Sequence, residues 1–327
     1  MELFGGVIAI KGITFLMFCV FAIAFLGYAL GRITIKGVNL GTAGVFIIAL
    51  LFGCFFFEPL EEQLPTYTDN ALKIVESLGL ILFVTSVGFI AGPKFFGNMK
   101  KNFKSYVLLG IIIILAGGLS AVGCIYLARI IEPNADFEGL TAMVVGLLSG
   151  SLTSTPAFSA AKDTVSAEYV DLVAVGHGIA YIFGVIGVVL FVQLIPKFTK
   201  ANMEEERAKL TQVSDGEVKE YKGKLIELDG FGFAAFSLAA IVGAFVGMIK
   251  VPLTSNGLEG TTFSLTTTGG CLLVSLIFGH FSRIGKISIM PQETTLKIFR
   301  ELGLMLFLIG AGIPGGAEFV EEFSGWY

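Results

Sequence analysis

Apolar residues in this chain come in long unbroken runs, and the polar residues gather between them. The runs are Ile13–Leu30, Leu40–Phe57, Leu78–Phe95, Ser105–Ile131, Leu140–Ala161, Leu172–Ile195, Phe231–Ile249, Phe263–Phe281 and Leu302–Phe319. A helix needs roughly 20 apolar residues to cross a hydrocarbon core of about 30 Å. A helix that is apolar all round belongs in lipid or deep inside a large protein. A soluble core could bury one such helix, but not a whole series. The pattern predicts an all-α polytopic membrane protein with about eight to nine transmembrane segments.

Composition sharpens this reading. Charged residues make up 15% and the mean hydropathy is +0.83, against roughly 25% charged in a soluble domain. The net charge of −4 says little about an embedded chain. The first run lacks a small-residue cleavage site and is followed by Arg32 and Lys36, so it reads as a transmembrane segment and not as a cleavable signal. Cys19, Cys54, Cys124 and Cys271 stand singly in apolar runs, which suggests buried free thiols and no disulfide or zinc framework.

The chain also repeats itself. LKIVESLGLILFVTSVGFIAGPKFF (72–96) matches LKIFRELGLMLFLIGAGIPGGAEFV (296–320) at one constant offset. Gly27-x-x-x-Gly31 corresponds to Gly243-x-x-x-Gly247, and GTAGVFIIALLFG (41–53) to TTGGCLLVSLIFG (267–279). Three helices in the same order mean an internal duplication, the usual architecture of transporters whose sites lie where the repeats meet. The expected division is a first membrane repeat over 1–196, a charged linker over 197–230, helical around Met203–Leu210, and an incomplete second repeat over 231–327. The second copy shows no counterpart of the segment at 140–161 before the sequence ends.

Lys and Arg mark cytoplasmic loops. Arg32 and Lys36, then Lys94, Lys100, Lys101 and Lys104, put the first and third loops inside; Glu58, Glu61, Glu62 and Asp69 put the second outside. Arg283, Lys286, Lys297 and Arg300 put inside the loop whose counterpart in the first copy is outside, so the copies are expected to be inverted, with the linker cytoplasmic. This needs an odd number of crossings before the linker. The segment that reads LLSGSLTSTPAFSAA (147–161) is therefore expected to enter from outside and return, leaving Lys162 outside; a broken helix that crosses fully is the alternative.

That segment carries the candidate chemistry. Gly150 and Pro156 bracket Ser151, Thr153, Ser154 and Thr155. Pro removes an amide hydrogen and clashes with the preceding turn. Irregular backbone at membrane depth is tolerated only where protein or a watery cavity satisfies it. Amides and hydroxyls at such a break, with a half-helix N-terminus beside them, suit a carboxylate. Ser154 or Thr155 could cap the helix that opens at Pro156. The competing reading is that the hydroxyls only bond neighbouring helices or their own carbonyls.

Several stretches together resemble the aspartate:alanine exchanger family of bacterial membrane transporters: LGYALGRITIKGVNLGTAGVFIIALLFG (26–53), SLGLILFVTSVGFIAGPKFF (77–96), GLLSGSLTSTPAFSAA (146–161) and VGHGIAYIFGVIGVVL (175–190). The resemblance covers Leu26–Leu190 and resumes more weakly from Phe231. It implies a secondary exchanger of amino acids or related small carboxylates in the inner membrane, with inverted repeats and a broken helix at the site. Here a short linker stands where many members carry soluble regulatory domains, and Tyr181-Ile182 stands where Tyr-Pro is usual.

The candidate substrate-binding residues are Gly150, Ser151, Thr153, Ser154, Thr155 and Pro156, with His177 and Tyr181 four apart on one helix face. Thr85 and Ser86, deep in the third segment, complete the set. His177 could accept a proton or bind a carboxylate, or simply face water near a helix end. His280 is expected at an interface, and Arg129 snorkelling to the surface. No G-x-S-x-G elbow supports a hydrolase, and no motif supports a metal, a nucleotide cofactor or nucleic acid. The expected partners are the lipid bilayer, a small substrate, and either further copies of this chain or a partner chain supplying the missing helices.

Overall fold

The computed structural model describes residues 2–3, 8–35, 38–39, 41–65, 67–102, 107–133, 136–199, 202, 225–252 and 262–324. The helices are α1 (Gly12–Gly31), α2 (Ala43–Gln63), α3 (Thr68–Asn102), α4 (Leu108–Ile131), α5 (Phe137–Ser151), α6 (Thr155–Thr164), α7 (Val170–Thr199), α8 (Phe233–Gly247), α9 (Thr266–Phe281) and α10 (Glu293–Ser324). Within the described residues, four helices are long and apolar enough to cross a membrane: α1, α2, α3 and α4. The chain is an all-α polytopic membrane protein.

Several helices outrun their apolar segments. α2 takes in Glu58, Glu61 and Glu62, and α3 takes in Lys100 and Lys101, so charges read as loop residues sit on helical ends. Short antiparallel hairpins fill some connections: β1 (Glu2–Leu3) with β2 (Ile8–Ala9), β3 (Thr34–Ile35) with β4 (Val38–Asn39), β5 (Val251–Pro252) with β6 (Thr262–Phe263), and β7 (Arg283–Ile284) with β8 (Ile287–Ser288). The expected helix at Met203–Leu210 lies outside the described residues.

Two compact units cut across the sequence repeat. One comprises Met1–Leu80, Ser120–Val189 and Gly303–Tyr327; the other comprises Ile81–Leu119 and Leu190–Leu302. In the first, α1 lies so close to α2 that a Cβ on Gly27 would run into the Val45 backbone. In the second, α8 meets α9 in the same way, with Gly243 against Cys271. The β3–β4 and β5–β6 hairpins occupy the matching connections, and Gly41 and Thr266 (φ 53° and 57°) share a left-handed backbone at the start of the next helix.

The third helices are exchanged. Gly316 of α10 packs on Leu50 and Cys54 of α2, in the first unit. Its first-copy counterpart, Gly92 of α3, packs on Leu276 and Gly279 of α9, in the second unit. Each copy's third helix therefore rests on the other copy's second helix. Within the first unit, Gly79 of α3 and its counterpart Gly303 of α10 lie side by side: a Cβ on Gly79 would stand 2.7 Å from the Gly303 carbonyl. Glu76, earlier on α3, meets Gly310, later on α10, so the two helices cross antiparallel here.

The core of the second unit gathers Phe89, Phe236, Ala239, Val274 and Leu296. Its entry to α8 is held by Asp229, whose carboxylate accepts from the amides of Phe231, Gly232, Phe233 and Ala234 at 3.0, 2.6, 2.9 and 2.8 Å. Those donors, Ala234 and Phe233 foremost, hold the Asp229 carboxyl below its ordinary range. The four cysteines are free, as read from the sequence, but Cys124 is exposed on α4 and not buried. Arg129 places its guanidinium 4.7 Å from the centre of the Phe137 ring.

Candidate functional site

The hydroxyl-rich segment folds as a helical hairpin inside the first unit. Asp136 opens α5, its carboxylate accepting from Glu138 N at 3.1 Å and Gly139 N at 3.2 Å. α5 ends at Ser151, and α6 begins at Thr155 under a Ser154 cap whose Oγ accepts from Ala157 N at 3.3 Å. The cap is thus Ser154, and the helix opens one residue earlier than Pro156. After α6 a single 3₁₀ turn, Ala167–Tyr169, brings the Tyr169 hydroxyl back to donate to Asp136. The chain returns to the end of α5 from which it set out.

α7 confirms this path. A Cβ on Gly139 would reach Leu172 at 3.2 Å, one on Gly146 would reach His177 N at 3.0 Å, and one on Gly150 would reach Tyr181 N at 2.9 Å. Positions advance together on α5 and α7, so these helices run parallel and α6 is the return arm. At 1.5 Å per residue α5 and α6 measure about 22 and 15 Å, each short of a bilayer core.

The break differs from its expected form in two respects. Its amides are used up locally: Leu152 N donates to Leu148 O at 3.1 Å, Thr153 N to Gly150 O at 2.9 Å and Ser154 N to Ser149 O at 2.9 Å. These three donors are not free for a ligand. Gly150 also serves close packing against α7 and not backbone relaxation. The residue in the left-handed region is Thr153, at φ 49°, a conformation costly for a β-branched side chain.

The hydroxyls divide. Ser151 is exposed and donates to Leu148 O at 3.0 Å. Ser149 is buried, donates to Gly146 O at 2.8 Å, and stands 2.8 Å from His177 Nδ1. Thr153 is half-buried, and Pro156 sits in the first turn of α6. Thr155 opens α6; its side chain lies outside the described residues.

His177 is fully buried and does not face water. Phe158 of α6 stacks on its ring, centroids 4.0 Å apart and planes 8° apart. Phe46 of α2 meets it edge-on at 5.6 Å, and Tyr181, also buried, lies 5.2 Å away. Among the described residues, His177 Nε2 has no hydrogen-bond partner. One turn past Phe158, Lys162 pairs with Glu76 of α3, its Nζ 3.0 Å from both carboxylate oxygens. Thr85 and Ser86 belong to the second unit, where both are fully buried and Ser86 Oγ donates to Leu82 O at 2.7 Å.

Phe46, Phe158, Glu76 and Lys162 were not among the sequence-based candidates. Phe158 and Lys162 share one face of α6 at i, i+4 spacing, a signal present in the sequence once a helix is assigned after Pro156. Glu76 gave no such signal.

A 193-residue stretch is 39% identical to an uncharacterized transporter of Bacteroides thetaiotaomicron, covering 59% of this chain and 32% of that protein. A 238-residue stretch is 34% identical to an uncharacterized transporter of Bacteroides fragilis, covering 71% of this chain and 40% of that protein. The chain thus spans a third to two fifths of the length of these curated relatives. No solved structure matches it at a significant level. The model of one family, described as a predicted permease membrane region, matches residues 19–197 and 235–325. With both membrane portions matched, the chain belongs to this Asp-Al_Ex family of membrane transport proteins.

Proposed function

We propose that the chain works in secondary exchange of amino acids or related small carboxylates across a bacterial inner membrane, by alternating access, as the resemblance to aspartate:alanine exchangers implies. The observation that carries this reading is the α5–α6 hairpin, broken at Leu152–Ser154 and laid along α7 beside buried His177. Membrane-embedded polar groups are expensive and mark substrate or ion paths. His177 offers a bare acceptor in an aromatic box, which fits a ligand ammonium or a transferred proton. Gly150, Ser151, Thr153, Ser154, Thr155 and Pro156 stand along the same hairpin, and Tyr181 on the helix beside it.

A second reading rests on length. The matched stretches cover 32% to 40% of the relatives, and in this reading the transporting unit includes helices beyond those described here. One experiment tests both. The chain is reconstituted in proteoliposomes preloaded with amino acids or dicarboxylates, beside Thr155→Val, which keeps the shape and removes the hydroxyl. Saturable exchange that the substitution abolishes supports the first reading. Exchange that appears only when the remaining helices of a longer relative are co-reconstituted supports the second. No exchange under either condition defeats both.

A further inference from the structure

We propose that Lys162 is the group that receives a substrate carboxylate, and that Glu76 holds its place between substrates. The inference rests on the transport reading above and names a residue which that reading left out.

The Glu76–Lys162 pair is withdrawn from water. Its side chains are 13% and 11% exposed, while among the described residues every other Lys or Arg is exposed or, like Arg300 at 40%, far more open. Such a pair gains little net stability, because desolvating two charges offsets their attraction. In a membrane-embedded chain it invites a functional explanation. The fold also makes room for it: a Cβ on Gly310 would stand 2.7 Å from Glu76 Cβ.

The break itself has few amides left to hold an anion. The amides of Leu152, Thr153 and Ser154 are bonded within the break, and Ala157 N is spent on the cap. An ammonium offers three donors on a flexible stem. Lys162 meets Glu76 with both carboxylate oxygens at 3.0 Å, the arrangement an incoming carboxylate would reproduce. Exchange of one carboxylate for another keeps the buried ammonium paired throughout. The pair also adjoins the His177 box, since Lys162 Nζ lies 5.5 Å from the centre of the Phe158 ring, which stacks on His177. An amino acid bound there would find a cation for its carboxylate and an aromatic, imidazole-lined wall beside it.

The test compares the full chain with the neutral pair Glu76→Gln/Lys162→Met, which removes both charges and strands neither. Detergent-solubilised protein is titrated with succinate, with aspartate and with succinamide, the uncharged diamide of succinate, while thermal unfolding is followed. Labelled aspartate exchange in proteoliposomes is measured in parallel. The expected result is that succinate, and not succinamide, stabilises the unsubstituted chain, and that the neutral pair folds but binds succinate about tenfold to a hundredfold more weakly. A folded neutral pair that still responds to succinate within about twofold overturns the inference and leaves the transport reading standing. An unsubstituted chain that exchanges aspartate but ignores succinate and aspartate in the unfolding assay also overturns it. If exchange fails both with the chain alone and with the remaining helices of a longer relative co-reconstituted, the transport reading falls and this inference with it. Should the neutral pair not fold, the reversed pair Glu76→Lys/Lys162→Glu decides. Restored exchange there would mean a structural clasp and no carboxylate site; a folded but inactive reversed pair supports the inference.

Discussion

Ser149 Oγ stands 2.8 Å from His177 Nδ1 and 2.8 Å from the Gly146 carbonyl. A hydroxyl has one hydrogen. With that hydrogen on the Gly146 carbonyl, the bond to His177 is made in the tautomer that carries Nδ1–H, which donates to Ser149. Nε2, the atom without a partner, is then a bare acceptor. One hydroxyl on α5 thus links the Gly146 carbonyl to a histidine on α7.

Ser149→Ala should leave the Nδ1 hydrogen unpartnered in a buried site. The expected loss is about 1–3 kcal/mol of stability, read as a lowered unfolding temperature in detergent. An unchanged midpoint would mean that the pair contributes nothing to the fold.

Gly150→Ala and Gly187→Ala form a matched test of how closely α5 lies on α7. A Cβ at Gly150 would stand 2.9 Å from Tyr181 N and 3.0 Å from His177 C, whereas one at Gly187 meets nothing within 4 Å. Gly150→Ala should cost about 2 kcal/mol or more through forced separation of two backbones, and should sharply reduce folded yield in size-exclusion chromatography. Gly187→Ala should behave as the unsubstituted chain. Equal yields from the two would contradict the parallel packing.

Thr153 holds φ 49° at the hairpin break. Glycine adopts that backbone without the side-chain penalty, so Thr153→Gly should stabilise the chain, by up to about 1 kcal/mol after the entropy of the unfolded glycine is counted. Stabilisation with reduced exchange would show that the strain is part of function. A marked loss of stability would show that the threonine side chain, and not its backbone, holds the turn.

The closure of the hairpin should be sensitive to alkaline pH. The Tyr169 hydroxyl donates to the Asp136 carboxylate, and that bond, with the nearby negative charges, pushes its pKa from 10.0 up to about 12. A raised value favours the protonated form in the fold. Its contribution is complete below pH 10 and lost as pH rises toward 12. Tyr169→Phe should remove this alkaline slope from a plot of unfolding temperature against pH. Asp229 acts in the opposite limb: its lowered value means that its contribution is present above 3.8 and is lost on acidification below it. Asp229→Asn should flatten that acid limb.

The sequence by itself determined the helices and their membrane character, because each is written in local pattern. Apolar runs dictate helices in lipid, and Gly27, Gly31, Gly243 and Gly247 sit where two backbones touch in both copies. Pro156 announced a break just before it, since proline lacks the amide hydrogen a continuing helix would use and its ring clashes with the preceding turn. What only the tertiary structure decided is which surfaces meet. Two copies of one motif present the same complementary faces, so local pattern cannot tell whether α3 rests on α2 or on α9; the fold places Gly92 of α3 on α9 and Gly316 of α10 on α2. Lys162 has the same lesson at the scale of a side chain. Its charge read as a loop residue in water, but a carboxylate 86 positions earlier in the chain, Glu76, takes it out of water. Burial of a charge depends on a partner brought close by the fold, and a linear pattern carries no distance between residues so far apart.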